Sequence, residues 1–267
     1  SLMINKILER SIIMASYTIA NQQIVASALL SAYAQAKLRH SLSDATDLDV
    51  IFKVALQNPD RFPGISINGV QNQLTYIDRW VKGYCEAQAN RPSQRTATPK
   101  SACTDPAIAI IVQGTQGYSD SETKAGEENH NLFMSAENIQ GNLLEEYIAQ
   151  KVRPYGFIWC EGNVLRAIDF CNTDGSLFLQ IKNKSNTENS SSSNIREGTS
   201  IEKWYRLGTR TQAGKRLPDY KWHILNNFIN QNRTEGRYLP PCTMNEPDYQ
   251  SFLKRVAIAN HNLISRL

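Results

Sequence analysis

The stretch Val164 to Lys182, VLRAIDFCNTDGSLFLQIK, decides the reading of this chain. Asn172-Thr173-Asp174-Gly175 lies between two runs rich in apolar residues, and Asp-Gly supplies the two positive-φ positions of a type I′ hairpin turn. The spacing predicts two antiparallel strands, Val164 to Cys171 and a second running on to Lys182. Pairing outward from Thr173 and Ser176 sets Asp169 directly opposite Gln180, with Lys182 two residues further along. Side chains alternate along a strand, so Asp169, Gln180 and Lys182 share one face while Leu179 and Ile181 point to the other. A carboxylate, an amide oxygen and an amine on one face suit metal-assisted hydrolysis of a phosphodiester. The acid holds a hard cation, the amide completes its shell, and the lysine steadies a water or developing charge.

The neighbouring residues extend this core. Ser135 to Lys151 predicts a helix, with Ile139, Leu143, Leu144, Tyr147 and Ile148 in one stripe and Glu145 and Glu146 on its edges. Pro154-Tyr155-Gly156 ends it, Phe157 to Cys160 reads as a strand, and Glu161-Gly162-Asn163 turns the chain into the hairpin. The expectation is a three-stranded antiparallel meander preceded by a helix. Further on, Thr199 or Ser200 can cap a helix with Ile201, Trp204 and Tyr205 on one side, leaving Lys203 and Arg206 available to a ligand. Trp222, Ile224, Leu225 and Phe228 read as core, and Glu246 to Ile264 as a last helix.

Before the meander, the spacing predicts helices over residues 3 to 40, Ser43 to Leu56 and Leu74 to Glu86. Gln88 to Thr104 reads as a linker, Ile108 to Val112 as a short apolar run of undecided type, and Tyr118 to Asn131 as an exposed polar loop. The expected division is a helical subregion over 1–103 and a catalytic core over 104–267.

Composition narrows the class. The 267 residues can bury a sizeable core, and no run of 18 or more apolar residues marks a membrane span. Five cysteines without CxxC spacing argue against a disulfide framework or a zinc site, and a reducing cytoplasm is the simplest compartment. The net charge of +4 is modest, but residues 104 to 146 carry one lysine against eight acids, and residues 183 to 240 carry ten Lys and Arg against five acids. The second half can lie along phosphates.

Asp169 followed by Gln180-Ile181-Lys182 resembles the PD-(D/E)XK nucleases, which usually have Glu-x-Lys or Asp-x-Lys at the second position. Gln180 is a variation on that pattern. With Asn183-Lys184-Ser185-Asn186-Thr187-Glu188-Asn189, the serines Ser190, Ser191, Ser192 and Ser193, Asn194-Ile195-Arg196 and the upstream Asn138 to Ile148, the chain resembles the SinI-type restriction endonucleases over roughly residues 127 to 240. The resemblance implies an α/β fold with a restriction-endonuclease-like core, a mixed sheet flanked by helices. It implies a type II restriction endonuclease that uses Mg²⁺ to cut double-stranded DNA at a short palindrome of the GGWCC kind, paired with a cognate methyltransferase. A palindrome is most simply read by a homodimer. Gly141 followed four residues later by Glu145 matches the family's usual spacing, so Glu145 is preferred over Glu146 as the helix carboxylate beside the metal. Asp169, Glu145 and Gln180 are then the metal ligands and Lys182 the group acting on water. Segment 183–221 is the expected DNA contact, through Asn183, Lys184, Asn186, Ser190 to Ser193, Asn194, Arg196, Lys203, Arg206 and Arg210.

Overall fold

The structure is a computed structural model that describes residues 16–19, 25–42, 46–66, 72–98, 105–184 and 201–265. Three helices, α1 (Ala26–Arg39), α2 (Asp47–Gln57) and α3 (Gln73–Ala89), form the first layer. Each later start has a polar signal: the Thr46 amide donates to Asp49 Oδ2, and the Thr75 amide donates to Asn72 Oδ1 at 2.9 Å. The helix expected from residue 3 begins only at Ala26. Residues 3–15 lie outside the described residues, and Ser16–Tyr17 is a short strand, β1, paired antiparallel with β2 (Ile65–Ser66).

The main sheet contains β3 (Phe157–Trp159), β4 (Phe170–Asn172), β5 (Phe178–Lys184), β6 (Ile201–Gln212) and β7 (Lys215–Tyr220), side by side in chain order. The expected meander is present: β4 runs antiparallel to both β3 and β5. Its register is also the expected one, with Phe170 opposite Leu179 and Cys171 opposite Phe178.

The turn chemistry differs. Only Gly175 has positive φ (70°); its amide donates to Asn172 O, and Asn172 Oδ1 accepts from the amides of Ser176 and Leu177. A side-chain cap from Asn172 thus replaces the type I′ turn without moving the register. A Cβ on Gly175 would also meet Val54 Cγ2 of α2 at 2.9 Å. The two-residue loop with both φ positive falls instead at Ala213-Gly214, between β6 and β7.

Two further elements differ from expectation. Of the strand expected over Val164 to Cys171, only the end is sheet: β4 takes in Phe170 and Cys171, and the Asp169 backbone bonds to Leu179 and Cys160. Val164, Leu165 and Ile168 are apolar because they are buried under the helical layer, where Trp80 Nε1 donates to Val164 O at 2.9 Å. The helix expected from residue 199 or 200 is the strand β6, which runs parallel to β5 and opposes Gln180 with Lys203 and Lys182 with Tyr205. Ile201, Trp204 and Tyr205 fit a helical spacing, but β6 covers the edge β5 would otherwise leave open.

The expected loop over 118–131 is helix. After α4 (Pro106–Gln116), which settles the undecided apolar run, α5 spans Asp120–Val152 as one helix of 33 residues. Ser119 and Glu122 form its capping box, a signal outweighed in the sequence by the polarity of residues 120–131. Helices α6 (Trp222–Asn232) and α7 (Glu246–Ala259) complete the chain, α7 stopping short of Ile264. Ile224, expected in the core, is 48 % exposed.

The sheet separates two apolar cores. Ile158, Cys171 and Ile201 pack against α1 to α3, whereas Phe157, Phe170, Leu179, Ile181 and Trp204 pack against α5, α6 and α7. This sorts alternate residues of each strand into opposite layers. The expected boundary near residue 104 falls outside the described residues. The described part of the expected linker is a fixed strap: the Ser93 amide and hydroxyl donate to Glu146, Asn260 Nδ2 donates to the carbonyls of Ser93 and Arg95, and Ala97 bridges to Ile264. Among the described residues no helix is long and apolar enough to cross a membrane.

Candidate active site

Helix α5 turns its two adjacent glutamates in different directions. Leu144 and Ile148, both fully buried, fix the helix on the sheet, and each contributes about 1.5–3 kcal/mol by leaving water. Glu146 is used by the strap, with Ser93 at 2.7 and 2.8 Å. Glu145 instead lines a cavity of about 500 Å³, together with Asp169 and Gln180. The hairpin register and the helix stripe therefore bring three of the four expected catalytic residues to one cavity.

The two carboxylates are held from behind. Asp169 Oδ2 accepts from the Ile181 amide at 2.7 Å, which ties the carboxylate to β5. Glu145 Oε2 accepts from Trp159 Nε1 at 3.2 Å, and the Trp159 ring lies beneath the Arg91 guanidinium, 5.9 Å from its centroid. Burial pushes the Glu145 carboxyl up to about 8, and the negative charge of Asp169 pushes the same way; the Trp159 hydrogen bond and the Lys182 charge act against them. Gln180 is 3 % exposed, and its Oε1 is buried with no hydrogen-bond partner. A buried carbonyl oxygen left unsatisfied in a cavity that carboxylates also line could serve as a donor to a hard cation. Lys182 is half-buried and does not line the cavity, although its charge is felt at Glu145. Among the described residues no three His, Cys, Asp or Glu side chains form a metal-holding group; the oxygens that Glu145, Asp169 and Gln180 could offer a cation come from two acids and one amide.

The cavity has members that the sequence did not single out. Glu161, expected only as part of a turn, lines it 6 % exposed, with Arg91 at 3.6 Å, and burial raises its carboxyl above the usual range. Arg95 and Asn142 also line it. Gly162, Asn163 and Ala167 all have positive φ, so the chain from β3 to β4 curls around the cavity instead of extending.

The expected DNA contacts divide. Asn186, Ser190 to Ser193, Asn194 and Arg196 lie outside the described residues. Asn183 accepts from Arg206 Nε at 2.9 Å, and Lys184 pairs with Glu137 at 3.1 Å on the surface. Lys203 is half-buried on β6, and Arg210 is exposed on the β6–β7 hairpin beside Lys215 and Arg216. Arg206, expected to be available to DNA, is 8 % exposed and committed to Glu246, with Nη1 at 2.6 Å from Oε1. Its position on a strand, not a helix, turns it into the core between Tyr220 and Tyr249.

Comparison with known proteins agrees with this geometry. The family model described as SinI restriction endonuclease matches residues 71–232, a span that begins earlier than the stretch carrying the resemblance and takes in all of α3. The chain is 39 % identical over 219 residues to the type II restriction enzyme SinI of Salmonella infantis, covering 78 % of this chain and 86 % of that protein. It is 34 % identical over 168 residues to the type II restriction enzyme Eco47I of Escherichia coli, covering 61 % of this chain and 66 % of that protein. With the matched span containing Glu145, Asp169, Gln180 and Lys182, the chain belongs to the SinI restriction endonuclease family and is by that membership a type II restriction endonuclease.

Proposed function

We propose that this protein cuts both strands of DNA at a short palindrome of the GGWCC kind by Mg²⁺-assisted hydrolysis, in the cytoplasm and alongside a cognate methyltransferase. The observation that carries the reading is the convergence of Glu145, Asp169 and the unpartnered Gln180 Oε1 on one cavity. These three oxygen donors fit a hard divalent cation. When bound, the cation lowers the pKa of a coordinated water and offsets charge on the phosphate. Asp169, braced by the Ile181 amide, keeps its carboxylate fixed relative to Gln180; Trp159 orients Glu145; and Lys182, outside the cavity lining, acts on the site through its charge at Glu145. The exposed Arg210, Lys215 and Arg216 offer positive charge to the DNA backbone.

Digestion of a long unmethylated DNA of known sequence with Mg²⁺, followed by sequencing of the fragment ends, tests the whole reading. Discrete fragments with a shared end sequence are expected. A smear, or intact DNA with Mn²⁺ also failing, would overturn it.

The raised Glu145 carboxyl makes the site sensitive to pH. A glutamate ordinarily titrates near 4.5 and here near 8, so the folded chain holds its proton more tightly than the unfolded chain. That contribution to stability is complete below about 4.5 and is lost as pH rises through about 8. The metal-free protein should lose melting temperature across that window, and Mg²⁺ should restore it progressively as the carboxyl ionises. Glu145→Gln should flatten both trends. Melting curves from pH 5 to 9, with and without Mg²⁺, measure this directly; identical pH slopes for the two proteins would remove the assignment of the shift to Glu145.

A further inference from the structure

We infer that α4 and the first half of α5 form the surface through which two copies of this chain associate. The inference rests on the proposed cleavage of a palindrome, since a chain with one catalytic cavity needs a second copy to cut both strands together.

The hairpin is built unlike the rest of the molecule. No residue of α4 is buried, although its sequence, PAIAIIVQGTQ, is mostly apolar and has no charged side chain. A helix that is apolar on more than one side normally lies inside a protein. Ile108, Ile110, Ile111 and Tyr118, with Phe133 and Met134 from α5, are 47 to 71 % exposed. Together they present on the order of 600 Å² of apolar surface, near the upper end of what monomers expose and approaching the ~800 Å² that each partner gives to a standard interface.

The surface is also self-complementary in form. Between α4 and α5 runs a groove of about 480 Å³ whose walls include Ile108, Ala109, Val112 and Tyr118, with Asp105, Glu127 and His130 as its polar members, while Ile110, Ile111 and Phe133 are not among its lining. A two-fold interface needs recess and projection on the same patch. Nucleic acid is a poor occupant, because residues 105–136 carry one lysine, Lys124, against five acids. Asp105 and Glu127 line the groove, and Asp120, Glu122 and Glu128 lie on α5, so contact of α4 with α4 through Ile110 and Ile111 is the arrangement that avoids opposing like charges.

The location has a functional consequence. Phe133 and Glu145 lie on one unbroken helix, twelve residues apart, which is roughly 18 Å along the axis. Docking two hairpins therefore fixes the spacing of the two cavities through a rigid element.

Sedimentation of the purified protein, with plasmid cleavage in parallel, tests the surface. Wild type should sediment at twice the 30.1 kDa chain mass and cut supercoiled plasmid straight to linear. The double change Ile110→Lys and Ile111→Lys should sediment as a single chain, keep its helical content, and convert plasmid to nicked circles before linear DNA. Phe133→Ser should act in the same direction if the double variant does not fold. Ile258→Lys, an equally exposed position on α7, should change nothing. A wild type of single-chain mass, which would leave the face to some other protein, or a double variant as dimeric as wild type, overturns the interface. Plasmid left intact by every form overturns the nuclease reading instead, whatever the masses are.

Discussion

Asp169→Asn should reduce DNA cleavage by roughly a thousandfold or more, the scale of losing one oriented charged group from a reaction centre, while leaving the fold intact. The choice of asparagine matters. Asp169 Oδ2 accepts from the Ile181 amide, and an amide oxygen can take over that bond; alanine would leave a strand N–H without its acceptor and mix instability with lost chemistry. What asparagine removes is charge, facing the raised carboxyl of Glu145. Specific DNA binding, measured by gel shift in Ca²⁺, should fall far less than cleavage. The decisive measurement is the single-turnover cleavage rate with Mg²⁺ in excess. A variant cutting at a tenth of the wild-type rate or faster would show that Asp169 is not part of the reaction centre.

The second large effect is on stability. Arg206→Ala should cost about 3–5 kcal/mol, the range for leaving one member of a buried ion pair uncompensated. Arg206 and Glu246 are both under 10 % exposed, and Glu246 also accepts from Trp222 Nε1 at 2.9 Å, so the carboxylate cannot swing out to water without breaking a second bond. For a chain of this size the melting temperature should drop by about 10 °C. Replacing both partners, Arg206→Met with Glu246→Leu, should recover much of the loss, because the buried charges then disappear together. If Arg206→Ala melts within two or three degrees of wild type, the pair is not holding β6 to α7. The alanine variant should also lose cleavage, since Arg206 holds Asn183, the residue after Lys182.

The parts of the site legible in the sequence are those fixed by short-range geometry. A hairpin whose turn lies within four residues allows little freedom of register, so Asp169 and Gln180 can be paired from the amino-acid spacing alone, even though Asn172 and not a type I′ turn makes the reversal. The stripe of Leu144 and Ile148 likewise places α5 against the sheet, with the family spacing selecting Glu145. The illegible parts depend on distant partners. Ile201, Trp204 and Tyr205 satisfy helical spacing, and only the open edge of β5 makes them a strand. Arg206 looks like a surface cation until Glu246, forty residues on, is brought beside it. The first half of α5 has little apolar stripe to report, since so few of its residues meet this chain, and its capping box is the one local signal. Glu161 needs the curl of residues 162–167 to become part of the cavity wall.

The strap from Arg91 to Ala97 acquires a different meaning when the molecule is considered in order of synthesis. Of its anchors, Glu146 is made before the hairpin, whereas Asn260 and the segment around Ile264 leave the ribosome after every residue that lines the cavity. A chain still being translated thus has Glu145, Asp169 and Gln180 before the wall carrying Arg95 is tied in place. The cavity wall carrying Arg95 is thus completed by residues 165 or more positions further along the chain, a long-range closure made after the helix and hairpin that carry the acids.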